Sequence, residues 1–358
     1  MRVLFLQQQP CIRTLKYAEG LRAVRPRTRL AFAYGGRTLS QWYGAGDELF
    51  ERWWALGPAP RDVLVQVLDE FRPDLIHSHN LPDSLTVLAL EVAGGRIPVV
   101  HDVHDLQSLR QTPYEDGFPE PGNLLVLEQR AIEGSAALVT VSDELLAAIA
   151  ARHRLPRLTT VFANYVLGRD LPQELPPAGG GPDELPRVVY QGTLSTNEGH
   201  YDLRGIFGKL CREGISLDVF PSRAVPAYQD FAAGHLGMRC HDRLDPHALL
   251  QTLPKYDFGW AGFNADLNAA HLDTALPNKA FEYVGCGLPV LTFDHRALAR
   301  FVHEHGVGVA LPTLDDLAGR LAGLDVAELR RRVAAARFDF TVERNIGRLA
   351  DLYEAVVG

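Results

Sequence analysis

Short apolar runs alternate with stretches whose apolar residues recur at helical spacing. Val3–Gln7 is an apolar run that reads as a buried strand, Thr14–Val24 as a helix, and Leu30–Tyr34 as a second strand. Arg61–Phe71 carries Val63, Leu64, Val67 and Leu68 on one helical face, and Pro73 separates it from a short strand at Leu75–Ser78. The alternation continues with helix Ser84–Ala93, strand Pro98–Val103, helix Asn123–Gly134, strand Ala137–Val141, helix Asp143–Arg152 and strand Thr159–Phe162. Strands that alternate with helices predict a parallel sheet covered on both faces.

The pattern then breaks. Leu171–Pro186, LPQELPPAGGGPDELP, has neither period and is rich in Pro and Gly, so it reads as a linker. Beyond it come strands Val188–Gln191, Leu217–Phe220, Phe258–Gly262 and Val290–Phe293. Helices are expected at Asp202–Glu213, Ala227–Ala233, His247–Thr252, Asn278–Gly285, Ala297–Glu304, Leu314–Leu321, Glu328–Ala336 and Val342–Val356. The expected fold is α/β, with two doubly wound Rossmann-like domains facing an interdomain cleft. The first spans residues 1–167 and the second 187–337, with a linker at 168–186 and a terminal helix at 338–358. Open parallel sheets bind ligands outside the carboxyl ends of their strands, so the chemistry is sought there.

Composition changes this picture little. Hydrophobic residues at 46% and charged residues at 22% are ordinary for a globular chain. No apolar run spans a bilayer, and MRVLFLQQQP turns polar too soon for a secretion signal, so a cytoplasmic protein is expected. Cys11, Cys211, Cys240 and Cys286 show no CxxC spacing and read as reduced, mostly buried thiols. The net charge of −8 argues against nucleic acid as a partner. One stretch runs the other way: Arg13, Lys16, Arg22, Arg25, Arg27 and Arg29 crowd an early helix and its exit. They form a solvated face, or a peripheral contact with the inner face of an anionic membrane or with a phosphorylated acceptor.

The strongest chemical signal is LPNKAFEYVGCGLP, residues 276–289. Pro277 suits a first helical turn, and the free N–H groups of a helix starting at Asn278 make an anion site. Lys279 adds a full positive charge at that end. Glu282 lies one turn on, where a carboxylate can accept two hydrogen bonds from a ribose diol. Gly285 and Gly287 end the helix. The plain alternative is an amphipathic helix with a solvated Lys and Glu.

This segment resembles the nucleotide-binding signature of GT-B glycosyltransferases, particularly glycosyltransferase family four, whose members carry a PxKxxEYxAxGxPV stretch here. The resemblance implies that Glu282 binds ribose and that Lys279 and the Asn278 backbone face the phosphates. VVYQGTLSTNEG, residues 188–199, resembles the family's first strand and glycine turn, with Gly192 approaching the diphosphate and Thr193 beside it. The family's basic residues near this turn are replaced by Thr193 and Glu198. Arg223, after the next strand, substitutes for them or is a surface arginine. An acidic residue eight positions before the ribose Glu is common in the family. Thr274 stands there, so the neighbouring Asp273 is the catalytic candidate, and Asn264–Ala275, including His271, is expected to line the sugar pocket.

In the first half, IPVVHDVHDL gathers His101, Asp102, His104 and Asp105 at a strand end. His and Asp are metal ligands, but His101 and His104 point to opposite faces, so no shared metal site is expected. The stretch resembles the family's PVVxxxHD, which implies that His104 sits beside the transferred sugar and stabilises developing charge. His101 is expected to be buried or to face the acceptor. His77 and His79, in LIHSHN, resemble a stretch lining the acceptor side. Ser142 reads as a helix N-cap. The loop after the first strand lacks GxGxxG, which removes a dinucleotide-dependent oxidoreductase.

The expected function is transfer of a sugar from a UDP- or GDP-sugar donor to a hydroxyl acceptor. Retention of configuration is implied by the resemblance, and no metal or other cofactor is expected. A nucleotide-sugar epimerase of the same fold, and a noncatalytic partner protein, are the alternatives.

Overall fold

The computed structural model describes residues 1–111, 123–176 and 186–358, so residues 177–185 of the expected linker lie outside the described residues. The chain divides into two compact units, residues 1–164 with 342–358, and residues 165–341.

The first unit holds seven strands: β1 (Arg2–Gln7), β2 (Arg29–Tyr34), β3 (Trp53–Ala55), β4 (Leu75–His79), β5 (Val99–Val103), β6 (Ala137–Thr140) and β7 (Leu158–Val161). Their order is β3-β2-β1-β4-β5-β6-β7, every pair parallel. β1, β4 and β5 are almost wholly buried, as expected of strands covered on both faces. Leu4, Leu6, Leu64, Val67, Ile76 and Val99 form one of the cores. The register pairs His79 with Asp102, which brings the carboxyl ends of β4 and β5 together.

The second unit holds β8 (Arg187–Gly192), β9 (Ser216–Pro221), β10 (Met238–Cys240), β11 (Phe258–Trp260), β12 (Val290–Phe293) and β13 (Gly308–Leu311). The order is β10-β9-β8-β11-β12-β13, again parallel. The strand order reverses at β8, between β9 and β11, which is where an open sheet leaves a crevice for ligand. Tyr190, Phe207, Tyr228 and Trp260 centre its core.

Three strands escape the hydrophobic pattern: β3, β10 and β13. All are edge strands of three or four residues, with at most one buried residue each and anchored mainly by a neighbour. Trp53, for example, stacks on Phe32 of β2 at 4.6 Å between ring centroids.

Three readings of the residues need correction. The early basic residues do not form one solvated face. Arg13 and Lys16 of helix Ile12–Val24 are buried. Arg25 pairs with Glu354 and Asp351, and Arg29 pairs with Glu51. This dispersal removes the argument for a membrane contact through that helix. The four thiols are free, but only Cys286 is buried, and the other three are half-buried. His77 and His79 are fully buried, so they do not line an open acceptor surface. No helix among the described residues is long and apolar enough to cross a membrane.

Candidate nucleotide-sugar site

The carboxyl edge of the second sheet is organised around helix Asn278–Gly285, with Pro277 at its N-cap rather than inside its first turn. Gly259 of β11 lets this helix approach: a Cβ there would lie 2.4 Å from the Tyr283 ring. The Tyr283 hydroxyl accepts from the Gln191 backbone N–H at 3.1 Å and donates to the Trp260 carbonyl at 3.2 Å. One buried side chain thus fixes the helix to the ends of β8 and β11. Cys286 caps the helix, and Gly287 follows at φ 72°, where a side chain would be strained.

Lys279 and Glu282 point towards the turn at the end of β8. Gly192 has φ 132°, and a Cβ on it would lie 3.4 Å from Lys279 Nζ, so glycine serves both the turn and the approach of the ammonium. The Tyr190 hydroxyl donates to the Thr193 carbonyl at 2.6 Å and pins the turn. Lys279 Nζ stands 4.1 Å from the Tyr190 ring centroid and 5.0 Å from that of Phe263. It has no hydrogen-bond partner among the described residues. Only 8% of Lys279 is exposed. Burial pushes its ammonium down to about 7, against a smaller upward pull from Glu282. Lys279 therefore gives up its proton more readily than an exposed lysine. The cause is desolvation, which two aromatic faces only partly offset.

Glu282 is half-buried, and its Oε2 accepts from Gln191 Nε2. Arg223 is exposed, one residue beyond Ser222, whose N–H donates to the Gly192 carbonyl at 2.8 Å. The structure thus gathers Gly192, Thr193, Lys279 and Glu282 and leaves Arg223 at the same sheet edge. Asn278 is half-buried at the helix start. Asp273 bonds Arg296: Oδ1 accepts from the Arg296 backbone N–H at 3.2 Å and Oδ2 from Arg296 Nε at 3.0 Å. His271 is buried, and the Thr274 hydroxyl donates to its carbonyl at 2.7 Å.

In the first unit, Asp102 is the hub of a buried polar cluster. Arg13 Nε lies 2.9 Å from Oδ2, the Tyr17 hydroxyl donates to the same oxygen at 2.5 Å, and His77 Nε2 lies 3.4 Å away. Burial opposes ionisation of Asp102, but Arg13, His77 and His79 outweigh it and hold the carboxyl well below the usual carboxylate range. Burial likewise pushes His77 and His79 down. His77, His79 and Asp102 form the one group among the described residues spaced to hold a cation. A cation there would face the Arg13 guanidinium across a carboxylate oxygen that already has two donors.

His104 lies at the margin of this cluster, about a quarter exposed, with Nδ1 4.0 Å from Asp102 Oδ1. Burial moves it below its ordinary value, against the pull of Asp105 and Asp102. Asn80 holds its backbone: Oδ1 accepts from the His104 N–H at 3.1 Å, and Nδ2 donates to the Asp105 carbonyl. His101 goes elsewhere, to Asp83 at 3.2 Å and the Thr86 hydroxyl at 3.0 Å. Ser142 caps its helix by accepting from the Leu145 N–H at 3.0 Å. Sequence reasoning missed Tyr190, Phe263, Asn80 and Tyr17. Only Tyr190 carried a signal, as a polar-tipped aromatic two residues before the glycine turn.

Residues 11–164 match the model of a glycosyl transferase 4-like domain, and residues 188–343 match a glucosyltransferase 3-like C-terminal domain. The chain is a GT-B glycosyltransferase. The fold of this glycosyltransferase is similar to that of the lipopolysaccharide outer core galactosyltransferase WaaB, at 13% identity and TM-score 0.71, over 99% of both chains. Anabaena HepE, solved with UDP and glucose, matches at 18% identity and TM-score 0.67, over 99% of this chain and 100% of its own. A Rickettsia africae glycosyltransferase matches at 12% identity and TM-score 0.68, over 99% of both chains. No curated protein matches by sequence.

Proposed function

We propose that this glycosyltransferase moves a sugar from a UDP- or GDP-sugar to a hydroxyl acceptor, with retention of configuration and without a metal. The observation that carries the reading is Lys279: a buried ammonium with no hydrogen-bond partner among the described residues, beside a glycine turn and at the start of a helix. An unpaired buried cation is unfavourable unless an anion completes it, and a diphosphate would do so. HepE has been solved with UDP and with UDP-glucose, which supports a nucleotide-sugar donor.

In this reading the Asn278 backbone and Lys279 take the diphosphate, Glu282 takes the ribose through the oxygen not engaged by Gln191, and Gly192 and Thr193 close over the phosphates, with Arg223 nearby. In the transfer step the bond from anomeric carbon to phosphate oxygen breaks and the diphosphate leaves with the electron pair. The acceptor hydroxyl bonds to the same face of that carbon, and its proton passes to a departing phosphate oxygen. Lys279 and the helix start stabilise the growing negative charge. Both oxygens of Asp273 are engaged by Arg296, so we assign it to holding its loop rather than to nucleophilic attack.

Thermal unfolding with UDP, GDP and a panel of nucleotide sugars tests the donor reading. A rise in Tm with one nucleotide series is expected, and no shift with any of them would overturn it. Glu282→Ala should weaken the stabilising nucleotide by about 10- to 100-fold, the loss of hydrogen bonds to a charged acceptor, with an unchanged circular dichroism spectrum. Unaltered affinity would remove the ribose assignment.

On the resemblance of its stretch to the family's PVVxxxHD, we assign His104 to the transfer step. His104→Ala should lower kcat by about 100-fold while donor affinity stays put. A wild-type rate would make His104 structural.

A further inference from the structure

The first unit contains a cavity of about 430 Å³ at the carboxyl edge of its sheet. That volume falls within the roughly 300–1,000 Å³ of small-ligand sites. Its lining comes from the loops that follow four neighbouring strands: Gln8 after β1, Gly35 after β2, Leu56 after β3 and Ser84 beyond β4. The chain lays β2 and β3 on one side of β1 and then places β4 on the other, so the strand order reverses between β1 and β4. A crevice at such a reversal is where an open parallel sheet takes its ligand. The loop that leads to Ser84 starts at Asn80, whose Oδ1 accepts from the His104 N–H at 3.1 Å. The cavity and His104 therefore flank one loop.

Among the described residues that line the cavity, none is charged. The three charged residues adjacent to them in the chain are engaged elsewhere. Arg37 lies over the Trp42 ring at 5.3 Å, Arg61 pairs with Glu91, and Asp83 contacts His101 at 3.2 Å. A phosphate or carboxylate entering here would lose water and meet no cation. The walls are largely apolar, from Leu56, Leu85 and Leu88, with two neutral polar side chains, Gln8 and Ser84, both half-buried. Gly35 makes room for the first of these: a Cβ there would lie 2.5 Å from Gln8 Nε2. An amide and a hydroxyl can each donate and accept. A pyranose ring has the matching pattern, an apolar C–H face rimmed by hydroxyls.

We propose that this cavity holds the acceptor, and that the acceptor unit it takes is a neutral, hydroxyl-bearing sugar rather than a phosphorylated or carboxylated one. Calling the bound sugar an acceptor rests on the transferase reading, but its binding can be measured without a donor. Saturation-transfer NMR titrations on the full chain test it with methyl glucoside, methyl galactoside, glucose 1-phosphate and methyl glucuronide. At least one neutral glycoside should bind at least tenfold more tightly than both charged sugars. Gln8→Leu, which keeps the size and removes the amide, should weaken that glycoside about tenfold and leave the Tm shift given by nucleotide unchanged. Ser84→Ala removes only a hydroxyl and should weaken it several-fold, which keeps the test open should Gln8→Leu fail to fold. Charged sugars binding as tightly as the best neutral glycoside would overturn the proposal. So would the absence of binding by either glycoside, or an affinity unchanged in both variants, since the sugar would then sit elsewhere. A wild type that binds a glycoside but is stabilised by no nucleotide is a separate result: it sinks the donor reading and leaves the cavity as a sugar site.

Discussion

Replacing Lys279 with methionine should weaken nucleotide binding about 100-fold or more and, in the same protein, raise the stability of the fold. Both effects follow from the burial of one ammonium. Unfolded, the group titrates near its ordinary 10.5, whereas in the fold it titrates at about 7. Between those values the unfolded chain binds more protons, so this group makes the fold more stable as pH rises through the window. Below the folded value both states are charged and the full penalty applies, on the order of 4–5 kcal/mol. Methionine keeps the length and loses the charge. The variant should be more stable by about 2–4 kcal/mol at neutral pH, and its advantage should shrink towards pH 10. The lost charge-assisted contacts should weaken nucleotide about 100-fold or more. Wild type should also take up close to one proton per nucleotide sugar bound at pH 8 and almost none at pH 6. Calorimetry in buffers of different ionisation enthalpy reads this directly. Unchanged affinity in Lys279→Met would mean that the phosphates lie elsewhere.

The same residue shows what a sequence can reveal. Lys279 and Glu282 are legible because a helix imposes their spacing, and a helix leaves a periodic trace. The long strands and helices are legible for the same reason. The ammonium's environment is not, because Tyr190 and Phe263 reach it from the ends of β8 and β11, residues far from it in the chain. Edge strands β3, β10 and β13 escape the pattern, each with at most one buried residue. Asp102 shows the converse: its strand position was visible, but its partner Arg13 was read as part of a basic surface. A charged residue on a helix gives no sign that it turns inward until a buried carboxylate 89 positions away is known to face it.

That pair carries the second large effect. Arg13→Met should destabilise the first unit by about 3–5 kcal/mol, the usual result of stripping one partner from a buried ion pair. Asp102 is fully buried, and Arg13 is 5% exposed in its side chain. The guanidinium also donates to the Phe162 carbonyl at 2.7 Å and to Asn164 Oδ1 at 3.2 Å, so its loss frees the exit of β7 as well. The pH dependence separates the charge from this packing. The Asp102 carboxyl is held well below its ordinary value in the fold, chiefly by Arg13 against the opposing effect of burial. Its contribution is therefore complete above the unfolded value of about 4 and is lost as pH falls through the folded one. The gap between wild type and Arg13→Met, read by urea denaturation, should be widest at neutral pH and should close in acid. Replacing both partners, as Arg13→Met with Asp102→Leu, should recover part of the loss, because no uncompensated carboxylate remains buried. A gap that stays constant with pH, or a double variant no better than the single, would assign the effect to the Phe162 and Asn164 contacts. Asp102 would then be held by Tyr17 and the neighbouring histidines without need of the arginine.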